Sequence, residues 1–296
     1  MVIVKLQGGL GNQMFQYAAA RGIAGHNKAI YLDLETLRKH HMDTPHFTAR
    51  SYELGIFSGM SARAVRPTLV DFLTSNRLLP RIVRVFFKFH YIRQRENEFV
   101  QVPVNRPGTV VYMDGYFQSE KYFKIIEAEL LKEFRFPVLH AKNRLIEEKI
   151  RSSKNAVSLH VRRGDYLKSD VIHNIHGVLP ATYYTEALDK LRERHGSFEV
   201  FVFSDDIPWC KANIMCNGES ATFVSGNNGA ESWMDMALMS ACRHHIIANS
   251  SFSWWGAWLS PERGDVLAPD RWFNPVNVNF DIRDFVPHHW QLLHVK

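Results

Sequence analysis

The chain has 296 residues, of which 46% are hydrophobic and 22% are charged. This is the composition of a globular protein, and the length is sufficient for two domains that need neither a disulfide nor a metal for stability. The formal net charge of +6 is local, because the stretch between Asp71 and Glu96 carries six basic residues and no acidic residue. A basic surface over the whole molecule is therefore excluded, and we expect no nucleic-acid partner.

The cysteines and the apolar segments bear on the cellular compartment. Three cysteines without Cys-x-x-Cys spacing, Cys210, Cys216 and Cys242, favour a reducing environment and argue against a structural zinc site. The first residues do not form the apolar core of a signal peptide. The longest uncharged stretch, His244–Pro261, is too rich in polar residues to be a membrane span. We therefore expect a cytoplasmic protein.

The amino-terminal part predicts a strand, a glycine loop, a helix and a second strand, at Val2–Leu6, Gly8–Gly11, Asn12–Ile23 and Ala29–Leu32. Glycines let the backbone turn tightly, and the following helix start offers N–H groups to an anion. Because the spacing is not Gly-x-Gly-x-x-Gly, the loop fits either an anion site or a plain tight turn. The region from about 33 to 105 is less regular, and outside residues 77–89 it predicts no clear element.

The carboxy-terminal part alternates strands and helices. Ala156–Val161 and Glu199–Phe203 are its clearest strands, and Pro180–His195 fits a helix whose first residue is the proline. Such alternation predicts a parallel sheet with helices on both faces. We therefore expect an α/β fold with two domains, residues 1–148 and 149–296, and ligand contacts beyond the carboxyl ends of the strands.

The strand Ala156–Val161 leads directly into Arg162 and Arg163. A guanidinium group matches a pyrophosphate in two-point geometry and stays charged at any working pH. Alternate residues of a strand share a face, so we expect His160 and Arg162 to point together, and Arg163 to point away and hold a supporting acid. The alternative is a purely structural pair between an arginine and Asp165.

Two acids, Asp205 and Asp206, follow the strand Glu199–Phe203 closely. A carboxylate at this place can bind a ribose or the N–H edge of a purine. The same acids could instead hold a divalent metal, or cap the helix that begins near Pro208. We favour the nucleotide and keep the metal and the cap as alternatives.

A hydroxyl-rich turn, Asn249–Ser253, follows another predicted strand and precedes a helix. N–H groups and serine hydroxyls at a helix start form an anion cradle. The alternative is a serine cap before a core helix in which Trp254, Trp255 and Trp258 simply pack. Cations, acids and hydroxyls at several strand ends together indicate a bound nucleotide diphosphate.

Four segments resemble the α-1,2-fucosyltransferase family: Gly8–Ala18, His160–Tyr166, Phe203–Trp209 and Asn249–Leu259. Their His-x-Arg-Arg-x-Asp core is shared with α-1,6-fucosyltransferases and protein O-fucosyltransferases. The resemblance implies a GT-B-like fold, in which two Rossmann-like domains face each other across a cleft. It also implies transfer of L-fucose from GDP-β-L-fucose to the 2-hydroxyl of a terminal galactose, with inversion and without a metal or other cofactor.

The resemblance further implies roles for individual residues. Arg162 would bind the β-phosphate, and His160 with Asp205 or Asp206 would face the guanosine. The phosphate cradle would be completed by Ser250, Ser251, Phe252 and Ser253.

The other domain has implied roles as well. Asn12 and Gln13 would border the fucose. Residues 149–296 would bind the GDP-sugar, and residues 1–148 would form the acceptor side. The acceptor would be a galactose-terminated oligosaccharide or a lipid-linked glycan.

The acceptor hydroxyl loses a proton as it attacks, and the loop after Arg163 offers candidate bases. We single out Asp165 and His176, with Asp170 and His173 nearby. A salt bridge to Arg163 would lower the basicity of Asp165, whereas an ordinary histidine pKa suits His176 for work near neutral pH. The third alternative is that the departing phosphate takes the proton.

Residues 77–89 predict a basic amphipathic helix, with Arg77, Arg81, Arg84 and Lys88 on one face. Such a helix can lie on an anionic membrane, where a lipid-linked acceptor would be presented. The alternative is an ordinary surface helix packed on the core.

Other function classes compete with fucosyl transfer. Another GDP-sugar-dependent transferase fits the same motifs. A Rossmann enzyme using NAD or S-adenosylmethionine is disfavoured by the missing Gly-x-Gly-x-x-Gly. A non-catalytic protein that binds glycans or membrane surfaces is the remaining alternative.

Overall fold

The structure is a computed structural model of the chain. The residues that it describes are 1–25, 29–40, 42, 44, 48–75, 77–86, 88–95, 98–102, 108–168, 170–214, 220–274, 276 and 281–295.

The chain divides into two compact units. The first comprises Met1–Thr44 and Ala49–Phe136, and the second is built on Pro137–Lys296. The boundary therefore falls before the expected position at residue 148. The reason is that the helix Ala141–Ser152 packs within the second unit, where the Asn143 amide donates to the side chain of Asn227 at 2.8 Å.

A five-stranded parallel sheet forms the centre of the first unit. Its strands are β1 (Val2–Lys5), β2 (Ile30–Asp33), β3 (Ala62–Ala64), β4 (Phe89–Arg93) and β5 (Val110–Asp114). Its helices are α1 (Leu10–Ala24), α2 (Glu35–Lys39), α3 (Pro67–Thr74), α4 (Leu78–Phe86) and α5 (Glu127–Glu133). The strand order is β3-β2-β1-β5-β4, and Val2 pairs with both Ile30 and Val111.

The first unit is organised around β1 and α1. Val2, Ile3 and Val4 are fully buried, as expected for a β-branched central strand of a parallel sheet. Helix α1 is anchored to the end of α5, where Tyr17 donates a hydrogen bond of 2.6 Å to Glu133 and Arg21 donates one of 3.0 Å.

The second unit contains a six-stranded parallel sheet. Its strands are β6 (Ala156–Val161), β7 (Glu199–Ser204), β8 (Ser220–Val224), β9 (His244–Ile246), β10 (Val266–Pro269) and β11 (Gln291–Leu293). Its helices are α6 (Ala141–Ser152), α7 (Asp170–His176), α8 (Ala181–His195), α9 (Ile207–Asn213), α10 (Trp233–Ala241), α11 (Ser251–Trp258) and α12 (Ile282–Phe285).

The strand order of this sheet locates its ligand crevice. The order is β11-β10-β9-β6-β7-β8, so the chain runs outward from β6 through β7 and β8 and then returns to β9 on the other side of β6. The carboxyl ends of β6 and β9 are therefore a topological switch point, the place where open α/β sheets bind ligands.

The α/β fold with a parallel sheet in each half of the chain is confirmed, and β6 has the predicted bounds. Pro180 is the residue before α8 rather than its first residue. Helix α4 confirms part of the helix predicted at residues 77–89, whereas α7 and the other elements between β2 and β5 were not predicted. The predicted cleft between the domains stays a prediction.

Two further expectations concern the compartment. Within the part of the chain that the structure describes, no helix has both the length and the apolarity needed to cross a bilayer. Cys210 and Cys242 are buried free thiols, and Cys216 lies outside the described residues.

Candidate functional site

Three neighbouring strands of the second sheet end at residues that the sequence singles out. Arg162 follows β6, Asp205 follows β7, and Asn249 comes shortly after β9. These strands are adjacent and parallel, so the three residues lie at the carboxyl edge of one sheet. The sequence correctly predicted this edge as the meeting place of the motifs.

Arg162 is held by Asp205 at this edge. Its Nη1 lies 3.1 Å from Asp205 Oδ2, and the two side chains are only 24% and 23% exposed. Asp205 Oδ1 accepts a hydrogen bond of 2.9 Å from the backbone N–H of Arg163. Gly164 leaves room for the carboxylate, because a Cβ atom at position 164 would lie 3.1 Å from Asp205 Cγ. Asp205 therefore fixes the Arg162 guanidinium by a charge-assisted contact.

Arg163 has a different set of partners. Its guanidinium lies 4.0 Å from the centre of the Trp209 ring, a cation–π contact. Its Nε lies 3.6 Å from Asp206 Oδ2. The supporting acid expected beside Arg163 is thus Asp206, and the alternative of a pair with Asp165 stays a prediction. The side chain of Asp165 lies outside the described part of the structure.

The two acids after β7 have different roles. Asp206 caps α9, since its Oδ1 accepts the N–H of Trp209 at 3.1 Å, and its Oδ2 faces Arg163. The capping alternative is therefore correct for Asp206, and its expected contact with a nucleotide stays a prediction. Asp205 is the acid that remains beside Arg162.

His160 is buried near the end of β6, with 5% of its surface exposed. Burial, together with the charge of Arg162, lowers the pKa of His160 to about 3, so the ring is neutral near pH 7. Its Nδ1 has no hydrogen-bond partner among the described residues, and its ring centre lies 5.9 Å from that of Phe252. Buried polar atoms are normally satisfied by protein, water or a ligand, which fits the expected donor contact.

The start of α11 is partly used by its own serines. Ser250 Oγ accepts the N–H of Phe252 at 3.3 Å, so the capping alternative is correct for Ser250. Ser253 is 1% exposed and donates to the backbone carbonyl of Ser250 at 3.3 Å, so its hydroxyl does not face a phosphate as expected. Ser251 and Phe252 are partly exposed in the first turn, where an anion would meet the positive end of the helix.

Asn249 joins three segments around this edge. Its Nδ2 donates to the carbonyls of His176 at 3.0 Å and Trp272 at 3.2 Å. Its backbone carbonyl accepts the hydroxyl of Tyr166 at 2.9 Å. The Oδ1 atom is buried and has no partner among the described residues. Asn249 therefore positions the segment that carries His176.

His176 ends α7 and stacks on Tyr166, with ring centres 4.6 Å apart and planes 5° from parallel. Burial, reinforced by the charge of Arg162, lowers the pKa of His176 to about 4. This corrects the expectation of an ordinary pKa near 6.5, because a buried imidazole resists protonation. His176 lies beside the candidate site as a weak base.

The glycine loop of the first unit is filled by protein groups. Gln13 is fully buried; its Nε2 donates to the carbonyls of Gly8 at 2.8 Å and Ser51 at 2.7 Å, and its Oε1 accepts the N–H of Glu53. Both amide hydrogens of Gln13 are therefore taken, and its expected contact with a fucose is not supported. Gly8 has φ +75°, a backbone conformation that favours glycine in a tight turn.

The start of α1 is already occupied by a protein group. The N–H of Leu10 donates to a carboxylate oxygen of Glu53 at 3.1 Å, so this N–H is not available to a bound anion. Asn12 is partly exposed, and its Oδ1 accepts from the Gln118 side chain at 2.7 Å. Asn12 is thus the candidate that remains on this loop. Glu53 and Gln118 were missed because neither stands in a motif.

A His–His–Asp cluster lies at the opposite edge of the second sheet. The ligand atoms of His195, His244 and Asp265 lie within 4.8 Å of one another. Asp265 Oδ2, however, is 2.9 Å from His195 Nε2 and 3.1 Å from Arg194 Nη1. These contacts already satisfy the carboxylate, and we interpret the cluster as a structural ion-pair network.

Comparison with known proteins shows which family the chain belongs to. The model of Glycosyl transferase family 11 matches residues 69–290, well over half of the chain. The chain belongs to glycosyl transferase family 11. The family 11 match includes Arg162, Asp205 and the start of α11, and the resemblance to fucosyltransferases drawn from the motifs is confirmed.

Curated relatives of this family 11 chain are named as transferases. An alpha-1,2-colitosyltransferase from Escherichia coli is 36% identical over 94% of each chain. The O-antigen biosynthesis glycosyltransferase WbnK from Escherichia coli is 32% identical over 90% of this chain and 93% of its own. The galactoside 2-alpha-L-fucosyltransferase SEC1 from Bos taurus is 29% identical over 87% of this chain and 64% of its own. The chain is a glycosyltransferase.

Three residues of this family 11 site received no role from the sequence. Tyr166 and Trp209 stand inside the recognised motifs, and an aromatic ring close to an arginine is a usable signal for a cation–π contact. Asn249 entered only as the first residue of the hydroxyl-rich turn. Its buried amide, which donates to backbone carbonyls from two other segments, is visible only in the structure.

Proposed function

We propose that this glycosyltransferase moves L-fucose from GDP-β-L-fucose to the 2-hydroxyl of a terminal galactose, with inversion at the anomeric carbon. The observation that carries the proposal is the position of Arg162, held by Asp205 at the carboxyl end of the central strand β6. A fixed guanidinium at the same edge as the start of α11 suits a pyrophosphate. The α-1,2 linkage is supported by the names of the relatives.

The proposed chemistry is a single displacement. The acceptor oxygen bonds to the anomeric carbon while the bond from that carbon to the β-phosphate oxygen breaks, and GDP leaves with the bonding electrons. Negative charge grows on the β-phosphate, and Arg162 stabilises it. Because Asp205 holds the guanidinium in place beforehand, little reorganisation is needed as the charge develops.

We also propose that the reaction needs no metal or other cofactor, because a positioned cation can replace a metal at the leaving phosphate. The contacts of the two acids support this. Asp205 faces Arg162 at 3.1 Å and Asp206 faces Arg163 at 3.6 Å. A divalent cation that used this pair of acids would have to displace two guanidinium groups.

The proton of the acceptor hydroxyl leaves during the attack. We propose Asp165 as the base, because the lowered pKa of His176 makes that ring a weak base near neutral pH. His176 then acts as a positioning residue through its stack with Tyr166. Transfer of the proton to the departing phosphate is the alternative.

We assign the donor to the second unit and the acceptor, a galactose-terminated oligosaccharide or a lipid-linked glycan, to the first. His160, Arg162 and α11 all belong to the second unit. In the first unit, Gln13 and Glu53 close the glycine loop. We further propose a cytoplasmic enzyme that contacts the inner face of the membrane through residues 77–89.

The test is GDP release from GDP-fucose with a panel of galactose-terminated acceptors. We expect release that depends on the acceptor and an α-1,2-linked product by NMR, which also reports inversion. A parallel assay with a donor that carries colitose tests the alternative suggested by the colitosyltransferase relative, namely that the enzyme transfers colitose. Faster turnover of that donor would overturn the fucose assignment. Glycan binding without GDP release would favour the non-catalytic alternative.

A further inference from the structure

Helix α4 carries its large apolar side chains on the outside. Their exposed fractions are 74% for Leu78, 63% for Leu79, 47% for Ile82, 78% for Val85 and 81% for Phe86. At one residue per 100°, these five positions cover an arc of about 120°. Pro80, the buried residue of the helix, lies on the other side. The apolar face of α4 is therefore exposed, and this surface helix packs on the core through the side that carries Pro80.

Basic residues flank this apolar face. Arg81 and Arg84 lie on one side of α4, Arg77 precedes the helix and Lys88 follows it. The sequence has no acidic residue between Asp71 and Glu96 to neutralise them. The helix therefore joins an exposed apolar surface to a concentrated positive charge.

An open cavity lies on the basic flank, between α4 and β4. Its volume is about 760 Å³, and Arg81, Arg84, Lys88 and His90 are among the residues that line it. Arg84 is oriented by donating to the carbonyl of Leu73 at 3.4 Å. Several cations around one open cavity suit a phosphate group.

We propose that α4 docks this protein on an anionic phospholipid bilayer, with its apolar face in the headgroup region and a lipid phosphate in the cavity. An exposed apolar face beside cations is typical of helices that lie in the membrane interface. A second copy of the chain is a poor occupant, because pairing two α4 faces would bring two basic flanks together. The proposal does not depend on the sugar that the enzyme transfers.

The test is co-sedimentation of the full chain with vesicles. We expect binding to vesicles that contain phosphatidylglycerol, weak binding to pure phosphatidylcholine, and a loss of binding as salt screens the charges. Inorganic phosphate added at constant ionic strength should not displace the protein. Displacement by phosphate would instead identify a site for free phosphate and overturn the membrane assignment.

Variants distinguish the contribution of the basic residues to vesicle binding from that of the apolar face. Arg81→Glu should weaken binding by tenfold or more, because each basic residue near an anionic leaflet contributes about fivefold and the change also adds a negative charge. Arg144→Glu makes the same change on an exposed residue of α6 and should change binding less than about twofold. Equal losses in the two variants would show that only the net charge matters.

The double variant Val85→Ser with Phe86→Ser should weaken binding at both low and high salt. Val138→Ser, at a residue that is 81% exposed elsewhere in the chain, is its control. Unchanged binding by the double variant would overturn the proposal, as would failure of the wild type to bind anionic vesicles at low salt. A dimer in analytical ultracentrifugation that the double variant dissociates would show that a second copy covers the face.

Discussion

The carboxylate of Asp205 lies 3.1 Å from the guanidinium of Arg162, and this pair determines how the site can receive an anion. The carboxylate keeps the guanidinium in one orientation while no phosphate is bound. A pyrophosphate carries more negative charge than one carboxylate and can accept from several N–H groups at once. In the proposed reaction, the donor therefore takes over the guanidinium without a large movement.

Replacement of Arg162 tests the leaving-group role. Arg162→Ala should lower kcat by roughly 10²–10³, the usual loss when a preorganised donor at a developing charge is removed. Arg162→Lys should recover only part of this, because a point charge lacks the two-point geometry. The measurement is GDP release with saturating acceptor, and Arg144→Ala on α6 is the exposed control. Near-normal kcat in a folded Arg162→Ala protein would disprove the donor assignment.

The two adjacent acids provide a matched pair of variants. Asp205→Ala should raise KM for the donor and lower kcat, because the orientation of Arg162 is lost. Asp206→Ala removes the cap of α9 and should cost about 1 kcal/mol of unfolding free energy, with kcat near the wild-type value. Steady-state kinetics and urea unfolding of both variants check this. The reverse pattern would assign the nucleotide contact to Asp206.

Chelation tests the metal. Activity should survive EDTA, because the acids nearest the site, Asp205 and Asp206, face arginines. The measurement is the rate of GDP release after dialysis against EDTA, with magnesium or manganese restored in a second sample. A loss in EDTA that either ion reverses would make the paired acids a metal site after all.

Much of the fold was predictable from local pattern. The run Ala156–Val161 carries Val157, Leu159 and Val161 at alternate positions, so its bounds as β6 were predictable, and Arg162 had to lie at its carboxyl end. The pairing of side chains was not predictable, because Asp205 and Asp206 are neighbours in sequence yet face different arginines. Their separation depends on how β7 and α9 are joined.

Burial was the second limit on prediction. Gln13 and Ser253 have the chemistry of ligand contacts, and both stand in segments that resemble the α-1,2-fucosyltransferase family. Their polar atoms form hydrogen bonds within the protein instead, and a sequence motif does not show this. His176 illustrates the same limit, since its pKa depends on burial and on the charge of Arg162.

Buried neutral histidines should make the fold sensitive to acid. His245 is 1% exposed and lies 2.8 Å from Ser158 Oγ. Burial, together with the neighbouring His244, lowers its pKa to about 3. Below about pH 6.5 the unfolded chain binds a proton at this histidine that the folded chain does not. The contribution of neutral His245 to the free energy of unfolding is therefore complete above that pH and is lost as the pH falls towards 3. Between pH 7 and pH 5 the unfolding free energy should fall by about 2 kcal/mol from this residue.

Asp235 has the opposite effect on the pH dependence of the free energy of unfolding, and it provides the control. Burial raises its pKa to about 6, so the folded chain binds this proton first and gains stability as the pH falls through 6. The isosteric Asp235→Asn variant lacks this gain and should lose about 1 kcal/mol more than the wild type between pH 7 and pH 5. Urea unfolding at both pH values measures it. Equal pH dependence in the two proteins would contradict the raised pKa.

The last prediction concerns the base. With a pKa of about 4, His176 stays neutral across the working range, so kcat should show no titration of this residue near pH 6.5. His176→Asn removes the stack on Tyr166 but leaves Asp165 in place, and we expect kcat within about tenfold of the wild type. Asp165→Asn removes the proposed base and should lower kcat by about 10² or more, with GDP affinity retained.

Three outcomes separate the possible proton acceptors. A loss of about 10² in Asp165→Asn alone supports Asp165 as the base. The same loss in His176→Asn alone, with disappearance of the acid limb of the kcat profile, would mean that burial does not suppress the basicity of His176 once the donor is bound. If both variants keep most of their kcat, the departing phosphate accepts the proton. The transition state would then be loose enough for Arg162 alone to carry the electrostatic stabilisation, and Arg162→Ala should remain the most damaging single change at the site.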